Sequence, residues 1–176
     1  MRKIKLYIAT SIDRYIAGPT GDMDWLMDFP ITSKDNYGYD EFRPTVDTVI
    51  MGGSTYREII TMPIIWPYEN METYIVTHIP MDNNKGFHYI TEDIVDTVAR
   101  LKEENGKDIW LVGGGELTAM LMTAGLIDEM IITCIPVTLG NGVRLFQDCS
   151  KEFTWTLKEV KTFANNVYQA TYCISK

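Results

Sequence analysis

Apolar and polar residues alternate from residue 3 to residue 10, with Ile4, Leu6 and Ile8 set against Lys3, Lys5 and Tyr7. A period of two suits a half-buried strand, so this segment is predicted to be the first strand. Gly18, Pro19 and Gly21 follow in a loop. A short helix is predicted from about Ser33 to Phe42, with Ser33 as N-cap and Pro44 closing it. Val46 to Met51 reads as a second strand. Thr55 and Glu58 then have the capping-box spacing at the head of a helix that ends before Pro63. Thr73 to Thr77 and Phe87 to Ile90 read as further strands.

The clearest helix runs from about 92 to 104, where Ile94, Val95, Val98 and Leu101 make one apolar stripe and Asn105-Gly106 supplies the stop. Ile109 to Val112 is a short buried strand. Leu117, Met120, Leu121 and Ala124 define another helix, stopped by Gly125. From Glu129 onward only strands follow, at about 129–136, 154–161 and 166–174, with Asn165-Asn166 as the turn between the last two. Strand and helix in alternation, with an antiparallel finish, predict an α/β fold. Its sheet should be mixed but mostly parallel, with helices on both faces and a C-terminal hairpin. No repeat or linker interrupts residues 1–176, so a single domain is expected.

Composition narrows the function. With 45% hydrophobic and 23% charged residues the chain can bury an ordinary core without a metal or disulfide staple. A formal charge of −8 with no basic cluster argues against nucleic acid as a partner. Apolar runs are too short to span a bilayer and no signal-peptide pattern opens the chain, so a cytoplasmic protein without a membrane partner is expected. Cys134, Cys149 and Cys173 have no CxxC spacing and read as reduced thiols.

Two strand–glycine–helix junctions carry the candidate chemistry. They are Met51-Gly52-Gly53-Ser54-Thr55 and Val112-Gly113-Gly114-Gly115-Glu116. A helix start offers unpaired amides and partial positive charge, which suits a phosphate. In a parallel sheet both turns lie at the carboxyl ends of strands, where two of them could embrace one dinucleotide. Glycines also serve simply to make tight turns, and neither junction is a Walker loop or a GxGxxG fingerprint.

The chain resembles the dihydrofolate reductase-like family, in the branch of the reductase domain of riboflavin biosynthesis and its stand-alone bacterial relatives. Four stretches in the family's order carry the likeness: Ile8–Ala17, Asp47–Tyr56, Leu111–Leu117 and Pro136–Phe146. The resemblance implies the three-layer fold of that family and a reduced nicotinamide cofactor, NADPH or else NADH, lying across the carboxyl edge. Ala9, Ile16, Ala17 and Gly18 would then lie near the nicotinamide. The turn residues Gly52, Gly53, Ser54 and Thr55, with Gly113, Gly114, Gly115, Glu116 and Leu117, would face ribose and pyrophosphate. The family's glycine pair matching Gly113-Gly114 usually has a cis peptide bond, and many relatives form homodimers.

Two departures matter. The family usually has arginine immediately after the first glycine of the second motif, helping to hold the 2′-phosphate, and here that position is Gly53. Thr77 and His78 would supply the remaining contacts, although His78 also reads as a solvated loop residue before Pro80. A weaker preference for NADPH over NADH is therefore expected. Arg14 stands where glycine is more usual, and it either stiffens the loop or pairs with an anionic substrate.

Hydride transfer needs a proton source. Asp40, three residues after Tyr37 on the predicted helix, is the candidate, with solvated surface as its other reading. Trp25 reads as a wall of the substrate pocket beside Tyr37, or as ordinary core. These readings give an NAD(P)H-dependent reductase of a small heterocycle, pterin-like or ribosylaminopyrimidine-like, with no metal. The rival is a dinucleotide-binding protein without turnover.

Overall fold

A computed structural model describes residues 1–30, 36–79, 86–147 and 151–175. Its centre is strand β1 (Ile4–Thr10), flanked by β6 (Asp108–Gly113) and β7 (Glu129–Cys134), both parallel to it. Beyond β6 lie β3 (Val46–Gly52), β4 (Glu72–Val76) and β5 (Phe87–Ile90), also parallel. Beyond β7, β10 (Tyr168–Ile174) runs antiparallel to it, and β9 (Trp155–Thr162) runs antiparallel to β10. The eight-stranded order is β5-β4-β3-β6-β1-β7-β10-β9, the mixed and mostly parallel sheet that the alternation predicts.

The central strands are apolar on both faces because both are covered. Ile4, Leu6, Ile50, Ile109 and Leu111 pack beneath α4 (Ile94–Glu103) and α5 (Gly115–Thr123). The alternate positions Val49, Met51 and Trp110 face α3 (Gly53–Thr61) and α2 (Tyr39–Phe42). Helices on opposite faces of one sheet make three layers. The stripe Ile94, Val98, Leu101 turns inward as its spacing requires.

Below the amino ends of the strands, two cations close the structure. Lys102 is buried and donates to Asp128 Oδ2 at 2.6 Å and to the Leu126 carbonyl at 2.9 Å. Buried Arg2 pairs with Asp47.

Three local expectations need correction. Of the helix predicted over 33–42, the described residues 36–42 hold only α2, because Tyr37 (φ 49°) and Gly38 (φ 77°) are left-handed and cannot continue a helix. Its expected N-cap, Ser33, lies outside the described residues. The Thr55–Glu58 capping box does not form, since α3 already begins at Gly53 and no side chain caps it. Two short strands escaped the hydrophobic pattern: β2 (Tyr15–Ala17) and β8 (Val143–Arg144) pair as a separate antiparallel ribbon. Asn165 and Asn166 do turn the last hairpin, both at positive φ, inside a loop closed by Phe163 N donating to the Val167 carbonyl at 2.8 Å. Among the described residues no helix is long and apolar enough to cross a membrane.

Candidate functional site

The chain leaves β3 through α3 towards β4, and leaves β6 through α5 past β1 to β7. Neighbouring strands whose connections depart in opposite directions, over opposite faces, open a crevice at their carboxyl ends. Both glycine junctions stand at this point. A Cβ placed on Gly52 would lie 3.9 Å from the Gly113 carbonyl oxygen. One on Gly114 would lie 3.4 Å from Thr55 Oγ1 and 3.8 Å from Gly52 Cα. The two turns therefore approach each other at van der Waals range, and among the described residues no side-chain hydrogen bond caps either following helix.

Gly114 adopts φ 96° and ψ 118°, which side chains with a Cβ resist. The expected cis bond at Gly113-Gly114 is not present; among the described residues every peptide is trans. Positive φ at both glycines makes the reversal from strand to helix instead. Glu116 occupies the first turn of α5 and borders an open groove of about 1080 Å³. That groove runs between the outer side of α5 and residues 141–147, beside the crevice and not inside it.

At the end of β1 the chain turns back sharply, with Ser11 N donating to the Tyr15 carbonyl at 2.9 Å. Asp13 ties this turn to the segment before β8, accepting from Leu139 N at 3.1 Å and Gly140 N at 2.7 Å. The Ser11 hydroxyl and these amides favour its ionised form and lower its carboxyl from 3.8 to about 2. Pairing of β2 with β8 then holds Ile16, Ala17 and Gly18 in place. Arg14 sits at φ 66°, its Nη2 donating to the Tyr168 hydroxyl at 3.2 Å and its Nη1 to Thr10 Oγ1 at 3.5 Å. The side chain thus braces the loop against β1 and β10.

Trp25, on α1 (Asp24–Met27), packs with Tyr37 and Ala9 in one apolar cluster, so two proposed substrate residues meet at the end of β1. The Trp25 indole N–H is buried and has no acceptor among the described residues. The Tyr37 carbonyl accepts from the Tyr7 hydroxyl at 2.7 Å and from Gln169 Nε2 at 2.8 Å. Gln169 Nε2 also donates to Thr133 Oγ1 at 2.8 Å. Burial pushes the Tyr7 hydroxyl up to about 12, so it stays protonated. Asp40 lies elsewhere: it is exposed on α2, bonded by Asn36, and shares no helical face with Tyr37.

Thr77 is half-buried just past β4, its hydroxyl accepting from Ile79 N at 3.3 Å, and His78 beside it is exposed. The polar set Tyr7, Thr133 and Gln169 escaped sequence reasoning, because a lone polar residue in an apolar strand does not announce a partner 36 or more positions away. Among the described residues no group of three or more His, Cys, Asp or Glu could hold a metal.

The sheet order and the crevice at its switch point define an α/β protein of dihydrofolate reductase-like fold. Dihydrofolate reductase from Enterococcus faecalis, solved with NADP(H) and RAB-propyl, superposes over 99% of this chain and 97% of its own. The TM-score is 0.70 at 16% identity. Residues 57–168 match the RibD C-terminal domain, and the chain belongs to that family. A crystal structure provisionally described as a riboflavin biosynthesis protein, from Shewanella sp. PV-4, is similar over 99% of both chains, with TM-score 0.88 and 26% identity. The uncharacterized protein YwjB of Bacillus subtilis (strain 168) is 42% identical over 168 residues, 94% of this chain and 95% of the relative.

Proposed function

We propose that this chain is a single-domain NAD(P)H-dependent reductase that delivers hydride to a small heterocycle, pterin-like or ribosylaminopyrimidine-like. The observation that carries the reading is the meeting of two uncapped helix starts across Gly52 and Gly114 at a switch point. Amides of Gly53, Ser54 and Thr55 on one side, and of Gly115, Glu116 and Leu117 on the other, would hold a pyrophosphate from both faces. The reduced dinucleotide supplies the hydride; the protein supplies position and exclusion of water.

Ala9 and Ile16 to Gly18 would flank the nicotinamide, with Asp13 holding their loop in place. Trp25 and Tyr37 would wall the acceptor. The Trp25 indole N–H, buried and without an acceptor among the described residues, suits a substrate carbonyl or ring nitrogen. Asp40 is exposed to water on α2, so the proton is not assigned to it. The reaction belongs in the cytoplasm, where the reduced cofactor pool is held, and pairing into a homodimer forms part of the same proposal.

The test is deuterium transfer. The protein is incubated with C4-deuterated NADPH and with pterin or ribosylaminopyrimidine acceptors, and the products are weighed by mass spectrometry. Label in an acceptor supports the reductase. Tight dinucleotide binding with no label in any acceptor favours a binding protein without turnover.

A further inference from the structure

We propose that Asn141-Gly142, at the entry to β8, is a site of spontaneous modification, where the asparagine becomes aspartate and isoaspartate and the β2–β8 ribbon is thereby unlocked. Asn141 is exposed, and its Oδ1 accepts from Gly142 N at 2.9 Å. That bond folds the side-chain amide back over the main-chain nitrogen that follows it. A small turn about Cβ–Cγ then presents the amide carbon to this nitrogen, and an exposed side chain can make it. The packing also fixes the second residue of the pair. Gly142 has φ 143°, and a Cβ there would stand 2.2 Å from the Ala17 carbonyl oxygen. The contact that demands glycine leaves the nitrogen without a side chain to shield it.

In the reaction the Gly142 nitrogen gives up its proton and bonds to Cγ of Asn141. The bond from Cγ to the side-chain nitrogen breaks, ammonia leaves, and a cyclic imide closes. Water opens the ring, so a water is consumed for each ammonia released and nothing is oxidised or reduced. Opening at Cγ gives aspartate; opening at the main-chain carbonyl gives isoaspartate, which lengthens the backbone by a carbon. The ribbon has no slack for that carbon. Gly142 rests against the Ala17 carbonyl, Val143 pairs with Ala17, and Leu145 N donates to the Arg14 carbonyl at 3.0 Å. Either product also adds a negative charge next to Gly140, whose amide the Asp13 carboxylate already holds at 2.7 Å, and like charges repel. A second pair, Asn105-Gly106, is exposed too, but the chain after it is fixed by Lys107 N donating to Asp47 Oδ2 at 2.7 Å and by Arg2 Nε donating to the Lys107 carbonyl. Among the described residues the bond between Gly142 N and Asn141 Oδ1 has no counterpart there.

The experiment ages the whole chain at mildly alkaline pH, folded and in guanidinium, and follows both pairs by peptide mass mapping and the Leu145 amide by hydrogen exchange. In the folded chain Asn141 is expected to convert severalfold faster than Asn105. In guanidinium the two rates should converge, because each pair then has only its local chemistry. Exchange at Leu145 should rise in step with the isoaspartate fraction. Asn141→Gln keeps a neutral amide but closes a larger, slower ring, so it should hold slow exchange over the same period, with circular dichroism melts confirming that it folds. Conversion at Asn141 that is absent, or no faster than at Asn105 in the folded chain, overturns the proposal. So does a lead that persists undiminished in guanidinium, which assigns it to sequence and not to the fold. Modified protein with unchanged exchange at Leu145 overturns the unlocking of the ribbon.

Discussion

Gly114→Ala separates the backbone demands of the second turn from its role towards a ligand. At φ 96° and ψ 118° a residue with a Cβ carries strain of about 1–3 kcal/mol. The new methyl meets its nearest neighbours at 3.4 Å and 3.8 Å, ordinary contact distances, so no clash adds to that strain. For a chain of this length each kcal/mol moves the melting temperature by roughly 2–4 °C, so a fall of about 2–12 °C is expected. The effect on binding is separate. The methyl projects into the space between the turns and, if the proposed cradle holds a phosphate, would displace it from the α5 amides. Hydrogen bonds to a charged group contribute about 1.5–3 kcal/mol, so dinucleotide affinity should fall by roughly tenfold or more.

Gly86→Ala is the control. Gly86 has φ 113°, nothing within 4 Å of its Cβ position, and stands at the amino end of β5, whereas the glycine turns stand at the carboxyl ends of β3 and β6. It should cost stability without touching affinity. Both variants are read by circular dichroism melts and by fluorescence titration with NADPH. Gly114→Ala that melts lower but binds within about twofold of wild type would refute the assignment of the second turn as a phosphate cradle.

Other consequences follow from the same contacts. The Asp13 carboxyl is depressed to about 2 from 3.8, so the folded loop favours the ionised form. Its contribution is present above about pH 4 and is lost as pH falls through about 2; amide exchange at Leu139 and Gly140 should rise there, and Asp13→Asn should show fast exchange at every pH. Lys102→Met removes the ammonium from Asp128, which is 30% exposed and keeps a hydrogen bond from Ile4 N. A loss of about 1–3 kcal/mol in urea unfolding is expected, less than for a fully buried pair, and no loss would show that the pair is dispensable. Asp40→Asn should keep turnover within about twofold, since an exposed carboxylate is replaced by a polar group of the same shape. A large drop in an assay with the labelled cofactor would restore Asp40 as the proton donor.

What the sequence determines by itself is the set of elements and their order. Alternation in Ile4, Leu6 and Ile8, the stripe Ile94, Val98, Leu101 and the two glycine junctions are local patterns, and local physics reads them. The left-handed Tyr37, the early start of α3 and the trans bond at Gly113-Gly114 were not legible, because each answers to neighbours brought in from elsewhere in the chain. The β2–β8 ribbon joins residues more than 120 positions apart in strands too short for any periodicity to show. Only the tertiary structure decides which strand stands next to which. That choice sets Gly114 against Gly52 and presses Thr77 onto Gly53. Strand adjacency depends on long-range packing, which a local pattern along the chain does not encode.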